Sequence, residues 1–106
     1  MTEKVIRDGK VAVCISPGFG AGWSTWADKD QQEVALYHPD IVAWIEGGKK
    51  GNIDELMQRL TDDVHFDTSG ADDLEVEWLP VGTRFIVKEY DGSESILTLE
   101  NLENIA

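Results

Sequence analysis

VAVCISPGFGAGWSTWA, residues 11–27, is a run of seventeen residues without one charged side chain, in a chain where 28% of all residues are charged. It begins as a strand, Lys10–Ser16, in which Val11, Val13 and Ile15 alternate with Ala12, Cys14 and Ser16. Neither alternating set carries charge, which predicts a strand covered on both faces and central in its sheet. Pro17 has no N–H to donate and stops the strand. A loop follows, with glycines at alternate positions (Gly18, Gly20, Gly22), and closes on Trp23-Ser24-Thr25-Trp26.

Outward from this run, the pattern is of short helices and then strands. Asp8-Gly9 is a turn signal ahead of the strand. Asp28 or Asp30 can cap a helix through Tyr37. His38-Pro39 breaks it, and Pro39 suits the first turn of a second helix, Asp40–Glu46, with Ile41, Trp44 and Ile45 on one stripe. Gly47-Gly48 ends that helix. Asn52 caps a third, Ile53–Leu60, with Ile53, Leu56, Met57 and Leu60 at helical spacing. Asp62–Asp73 reads as an exposed loop. Leu74–Trp78 alternates strictly, with Leu74, Val76 and Trp78 turned inward and glutamates in water. Leu79-Pro80-Val81-Gly82 fits a β-turn, Thr83–Tyr90 a strand, Asp91-Gly92 a hairpin turn and Ser95–Leu99 the last strand of a three-stranded meander. Glu100–Ala106 is a tail. The whole predicts one α+β domain over residues 1–106, an antiparallel sheet of about four strands with two or three short helices on one face.

Composition narrows the function classes. The 106 residues carry a net charge of −12. From Asp28 onward nineteen acids face six bases. Such a field repels nucleic acid and anionic membranes, because phosphate binding relies on Lys and Arg, and it attracts basic partners. The start of the chain has no apolar segment of a signal peptide, and the uncharged run is too short and too rich in Gly and hydroxyls to span a bilayer. With the lone Cys14 in an apolar strand, this points to the cytoplasm and to a thiol that packs as a small hydrophobe.

No spacing specifies a catalytic or metal site. GFGAG is G-x-G-x-G, which is neither the dinucleotide fingerprint nor a P-loop. His38/Asp40 and His65/Asp67 form no recognised ligand set, and DTSGADD (residues 67–73) lacks the Ca²⁺-loop register. Ser16, Ser24 and Thr25 have no base at diagnostic spacing. The expectation is therefore a protein that is not an enzyme and has no metal and no cofactor.

Two binding readings remain. In the first, Gly18, Phe19, Gly20, Gly22, Trp23, Ser24, Thr25 and Trp26 form a pocket. Trp23 and Trp26 are its aromatic walls and loop N–H groups its donors, while Arg84 and Lys88 on a basic strand face neutralise a phosphate. The ligand is then a nucleotide-like small molecule, and a homo-oligomer can complete the pocket. In the second, the acid-rich segment Asp54–Glu77, with Asp62, Asp63, Asp72 and Asp73 foremost, binds a basic surface of a host protein as an inhibitor or adaptor.

The runs SPGFGAGWSTW (Ser16–Trp26) and EYDGSES (Glu89–Ser95) resemble a set of small acidic proteins encoded by bacteria and tailed phages that share this type of loop. The likeness takes in the opening strand and loop and the closing hairpin, and leaves out the middle helices. It implies no chemistry and carries over no functional residue. What it implies is a setting, since small acidic phage proteins often block host defences by covering a protein surface or by sequestering a signalling nucleotide.

Overall fold

Strand β2 (Lys10–Ile15) is the centre of the larger sheet, as its two uncharged faces require. In the computed structural model, which describes residues 2–98, it lies between β1 (Ile6–Arg7) and β3 (Glu75–Pro80), antiparallel to both. The β1–β2 connection is the two-residue turn Asp8-Gly9, both at positive φ (52° and 75°), the backbone hand that suits a tight hairpin. Cross-strand partners run from Lys10↔Pro80 to Ile15↔Glu75. Two-residue β1 is anchored by side-chain contacts as well: the Arg7 guanidinium forms a fork with both Glu46 carboxylate oxygens of the helix layer, at 2.6 and 2.8 Å, and lies over the Trp78 ring of β3.

One face of β2, carrying Ala12 and Cys14, is covered by helices α1 (Gln32–Tyr37), α2 (Pro39–Glu46) and α3 (Ile53–Thr61). Ala35, Ile41, Val42, Met57, Ala71 and Leu74 complete that core together with Trp23, all buried. The helix boundaries follow local chemistry. Pro39 sits in the first turn of α2, where its missing N–H costs nothing, and His38 Nδ1 accepts from the Asp40 N–H at 3.1 Å. Asn52 caps α3, its side-chain oxygen accepting from the Asp54 and Glu55 N–H groups. Helix α1 is shorter than its capping aspartates predict. Asp28 makes no side-chain cap bond, and residues Lys29–Gln31 form a 3₁₀ turn before the helix proper.

The opposite face, carrying Val13 and Ile15, meets a separate two-stranded sheet, β4 (Phe85–Tyr90) with β5 (Ser93–Thr98). Phe85 lines the cleft against Val11, Val13 and Leu79, and Ile96 lines the one against Ile15 and Leu79. The fold is therefore α+β, but its five described strands divide into two antiparallel sheets. The expected meander through β3, β4 and β5 is corrected by the pairing: β3 joins β2 and leaves β4–β5 as a hairpin. The physical reason lies in β2, whose buried backbone needs a partner along the edge that β1 does not occupy, and six-residue β3 covers that edge over its whole length. The turn after β3 falls one residue later than the sequence suggests: Thr83 N–H donates to Pro80 O, and Gly82 takes φ +88°. Leu99 of the expected last strand and the tail Glu100–Ala106 lie outside the described residues.

No helix of the described residues is long and apolar enough to cross a membrane. Met57→Ala, which empties part of the helix-side core, is expected to cost about 2–5 kcal/mol in urea unfolding. Val81→Ala, at an exposed turn, should stay within about 0.5 kcal/mol. Equal costs at the two positions would place the core elsewhere.

Candidate functional site

The glycine loop does cradle an anion, and the anion belongs to the protein. Glu94, on β5, is 1% exposed. Its Oε1 accepts from the Ser16 N–H at 2.9 Å, and its Oε2 accepts from the Trp23 N–H at 2.7 Å, the Thr25 N–H at 3.0 Å and the Thr25 hydroxyl at 2.6 Å. Three backbone amides and a hydroxyl thus satisfy a carboxylate that no cation pairs with among the described residues. A buried charge is tolerable when its hydrogen-bonding capacity is filled in this way. The Glu94 N–H in turn donates to Ser16 O at 2.9 Å, so this one residue ties both ends of the loop to the hairpin.

The glycines make that approach sterically possible. A Cβ on Gly92 would stand 2.3 Å from the Ala21 nitrogen, and one on Gly18 would overlap the Asp73 carboxylate. Gly20 takes φ +103° and donates its N–H to Asp91 O at 2.8 Å. Ser16 Oγ, buried, donates to Gly70 O, and Ser93 Oγ donates to Pro17 O. The loop is thus a corner tied down at Ser16, Gly20, Trp23 and Thr25, and those backbone donors are already occupied.

The residues singled out in the sequence separate into four places. Trp23 is in the core: it is fully buried, its indole N–H donates to Ala35 O, and Phe66 meets it edge to face at 5.3 Å. It presents no ring face to a ligand. Trp26 is 43% exposed, and its indole N–H donates to Glu89 Oε1 at 3.3 Å. Ser24 and Thr25 line a cleft of about 500 Å³ together with Arg84, Gln32, Leu36 and Tyr37. Phe19 and Lys88 line a separate hollow of about 260 Å³ with Glu89, Tyr90, Ser93 and Ser95. Arg84, just ahead of β4, and Lys88, within it, therefore serve two depressions.

The four aspartates are divided likewise. Asp62 and Asp63 follow α3, where Asp62 takes the left-handed conformation at φ 56°. Asp63 accepts from the Gln31 side-chain amide at 2.9 Å and from the His65 N–H, and the Gln31 bond first and the His65 bond second hold its carboxyl below its ordinary value. Asp72 and Asp73 lie on a 3₁₀ turn beside Gly18, where Lys49 Nζ donates to the Asp72 carbonyl. Among the described residues no group of three or more His, Cys, Asp and Glu is placed to hold a metal. Cys14 is buried and its thiol is pushed up to about 12 by burial, the reverse of an activated nucleophile.

Two participants escape a reading of the loop alone, Glu94 and Tyr90. The hairpin parity carries the signal for the first. The Asp91-Gly92 turn pairs Glu89↔Glu94 and Val87↔Ile96, so the alternation that turns Ile96 inward turns Glu94 the same way.

Glu94→Gln keeps the shape but points an NH₂ at backbone donors, and it should lower stability by about 1.5–3 kcal/mol in denaturant unfolding. A neutral result would mean that the four bonds contribute nothing net. Cys14 should react with a thiol reagent only on the timescale of unfolding. Labelling of the folded protein within seconds would contradict its burial.

No family model, no curated protein and no solved structure matches the chain.

Proposed function

We propose that the protein is a non-enzymatic binding module that holds a nucleotide-like small molecule in the hollow between the glycine loop and the β4–β5 hairpin. The observation that carries this is a pair of aromatic rings left in water that line the same hollow as a lysine. Phe19 is 72% exposed and Tyr90 78%, and both line the hollow that also holds Lys88. Every base has a π-face, and stacking on a ring contributes about 1–3 kcal/mol per base. The Lys88 ammonium is the counter-charge for a phosphate, the Ser93 and Ser95 hydroxyls are polar contacts for a sugar or phosphate, and the Glu89 carboxylate accepts from a base amine.

The loop's anchoring supports the same reading. Gly18 lies against the Asp73 side chain and the Gly20 N–H donates to Asp91 O, so Phe19 between them is anchored on both sides before any ligand arrives. Preorganisation of this kind lowers the entropy lost on binding. In this proposal Trp23 acts from within, as the core residue on which the loop rests, and the tryptophan-walled pocket is replaced by a site walled by Phe19 and Tyr90. The biological role that fits is sequestration of a signalling nucleotide, the setting that the resemblance to small acidic phage proteins suggests.

The test is a thermal-shift panel of mononucleotides, dinucleotides and cyclic dinucleotides on the wild type, Phe19→Ala, Tyr90→Ala and Lys88→Glu. A ligand at about a hundred times its Kd adds about 2.7 kcal/mol, a rise in Tm on the order of 10 °C for a domain of this size. The rise is expected for at least one ligand in the wild type and should be lost in Lys88→Glu. A flat response across the panel, or a shift that survives all three variants, would contradict the proposal.

A further inference from the structure

The register of the β4–β5 hairpin sets the order of the polar groups in the hollow beside the glycine loop. Tyr90 pairs with Ser93, and Lys88 pairs with Ser95. Directly opposed side chains stand on the same face of a sheet, and so do side chains two apart along a strand. The four therefore make two successive rungs of one face, about 7 Å apart. All four line the hollow. The rung next to the turn brings a ring and a hydroxyl, and the following rung an ammonium and a hydroxyl.

The two hydroxyls are not equivalent. A serine hydroxyl has one proton to donate and lone pairs with which to accept. Ser93 Oγ donates its proton to Pro17 O at 2.6 Å, so any bond it makes to a ligand is one it accepts. A phosphodiester oxygen has no proton to offer, whereas a sugar hydroxyl has. The Ser95 hydroxyl and the Lys88 ammonium have no partner among the described residues, and both can donate to an anion. The rung next to the turn therefore suits a nucleoside, and the following rung its phosphate.

Charge decides the form of that phosphate. Among the described residues Lys88 is the only base that lines the hollow, and Glu89 lines it too. Residues 99–106 contain no Lys, Arg or His. A terminal phosphate carries about −1.5 to −2 at pH 7, whereas a phosphate in diester linkage carries a single charge. In a chain of net charge −12, one lysine matches the diester and leaves a terminal phosphate or a triphosphate with charge unmatched. A diester also has a nucleoside on each side of its phosphate, and the hollow has two exposed rings, Phe19 and Tyr90. We infer, on the reading of this hollow as a nucleotide site, that its ligand is a small ribonucleoside phosphodiester. The linkage takes up a 3′- and a 5′-hydroxyl, so the hydroxyl left beside the phosphate is the 2′. It donates to Ser93 Oγ, and the phosphate sits on Lys88 and the Ser95 hydroxyl. Ser93 is then the residue that tells ribose from deoxyribose.

The probe is the dinucleotide adenylyl-3′,5′-adenosine, titrated calorimetrically into the full chain. Adenine serves because stacking on a ring tolerates any base. Its 2′-deoxy and 2′-O-methyl forms, AMP, ATP and hexaadenylate complete the set. The ribose dinucleotide is expected to bind about three- to tenfold more tightly than either 2′-modified form, both of which lack the proton. It should bind at least about tenfold more tightly than AMP or ATP. Ser93→Ala should abolish the preference for ribose, and Ser95→Ala should weaken the ribose and deoxyribose forms alike. If Ser93→Ala does not fold, the two modified dinucleotides carry the same test on the wild type. Equal binding of the ribose and 2′-modified forms, or of the dinucleotide and ATP, would overturn the inference and leave a nucleotide site standing. Tighter binding of hexaadenylate would overturn it in favour of an RNA strand. Absence of binding by all six would remove the inference and the site together.

Discussion

The hydrogen bonds that end on the Glu94 carboxylate hold the two halves of the molecule in register. They join the end of β2, the first residues after the glycine loop and the closing hairpin through one side chain. Several arrangements follow from that constraint. The loop must curl tightly enough for the Ser16, Trp23 and Thr25 amides to converge, which requires glycine where the backbones of residues 20–21 and 92 meet. Trp23, placed by its own amide bond to Glu94, drops its ring into the helix-side core and donates its indole N–H to α1. The hairpin, fixed at Glu94, is left with Tyr90 lining the same hollow as Phe19.

An internal carboxylate in a Gly-rich loop also changes what the loop can do for a ligand. Converging backbone N–H groups are the usual means of binding an external phosphate. Here they are taken up by the chain's own anion, and the loop becomes a support. In the proposed reading, ligand contacts fall instead to side chains that line the neighbouring hollow, Phe19 on the loop and Lys88 and Tyr90 on the hairpin. A support of this kind beneath exposed aromatic rings is a sound basis for a binding surface.

Much of the fold is legible in the residues themselves, because the responsible physics is local. Asn52 and Pro39 mark helix starts through their own hydrogen-bonding chemistry. Residues 74–78 alternate because one face meets water, and Asp91-Gly92 specifies a tight hairpin through positive φ. The β2 run declares its centrality because both faces lack charge. What was not legible is long-range. The partner of β3 is the open edge of β2, some sixty residues earlier in the chain, which no periodicity within β3 records. Trp23 and Trp26 sit in one motif, yet one is buried by α1 and the other faces Glu89, a difference set by contacts twelve and 63 residues away. Glu94 reads as one more acid in a chain of net charge −12. Its burial is evident only when the parity of the hairpin is combined with the position of the loop.

The account rests on Glu94 as the organiser of the loop, and residue-resolved amide hydrogen exchange tests that most directly. The amides of Ser16, Trp23 and Thr25 should exchange only through global unfolding in the wild type, with protection matching that of Ala12 and Cys14 in β2. In Glu94→Gln the same three amides should lose protection while β2 keeps its own. Fast exchange at these three positions in the wild type, or unchanged protection in the variant, would contradict the central role assigned to this carboxylate.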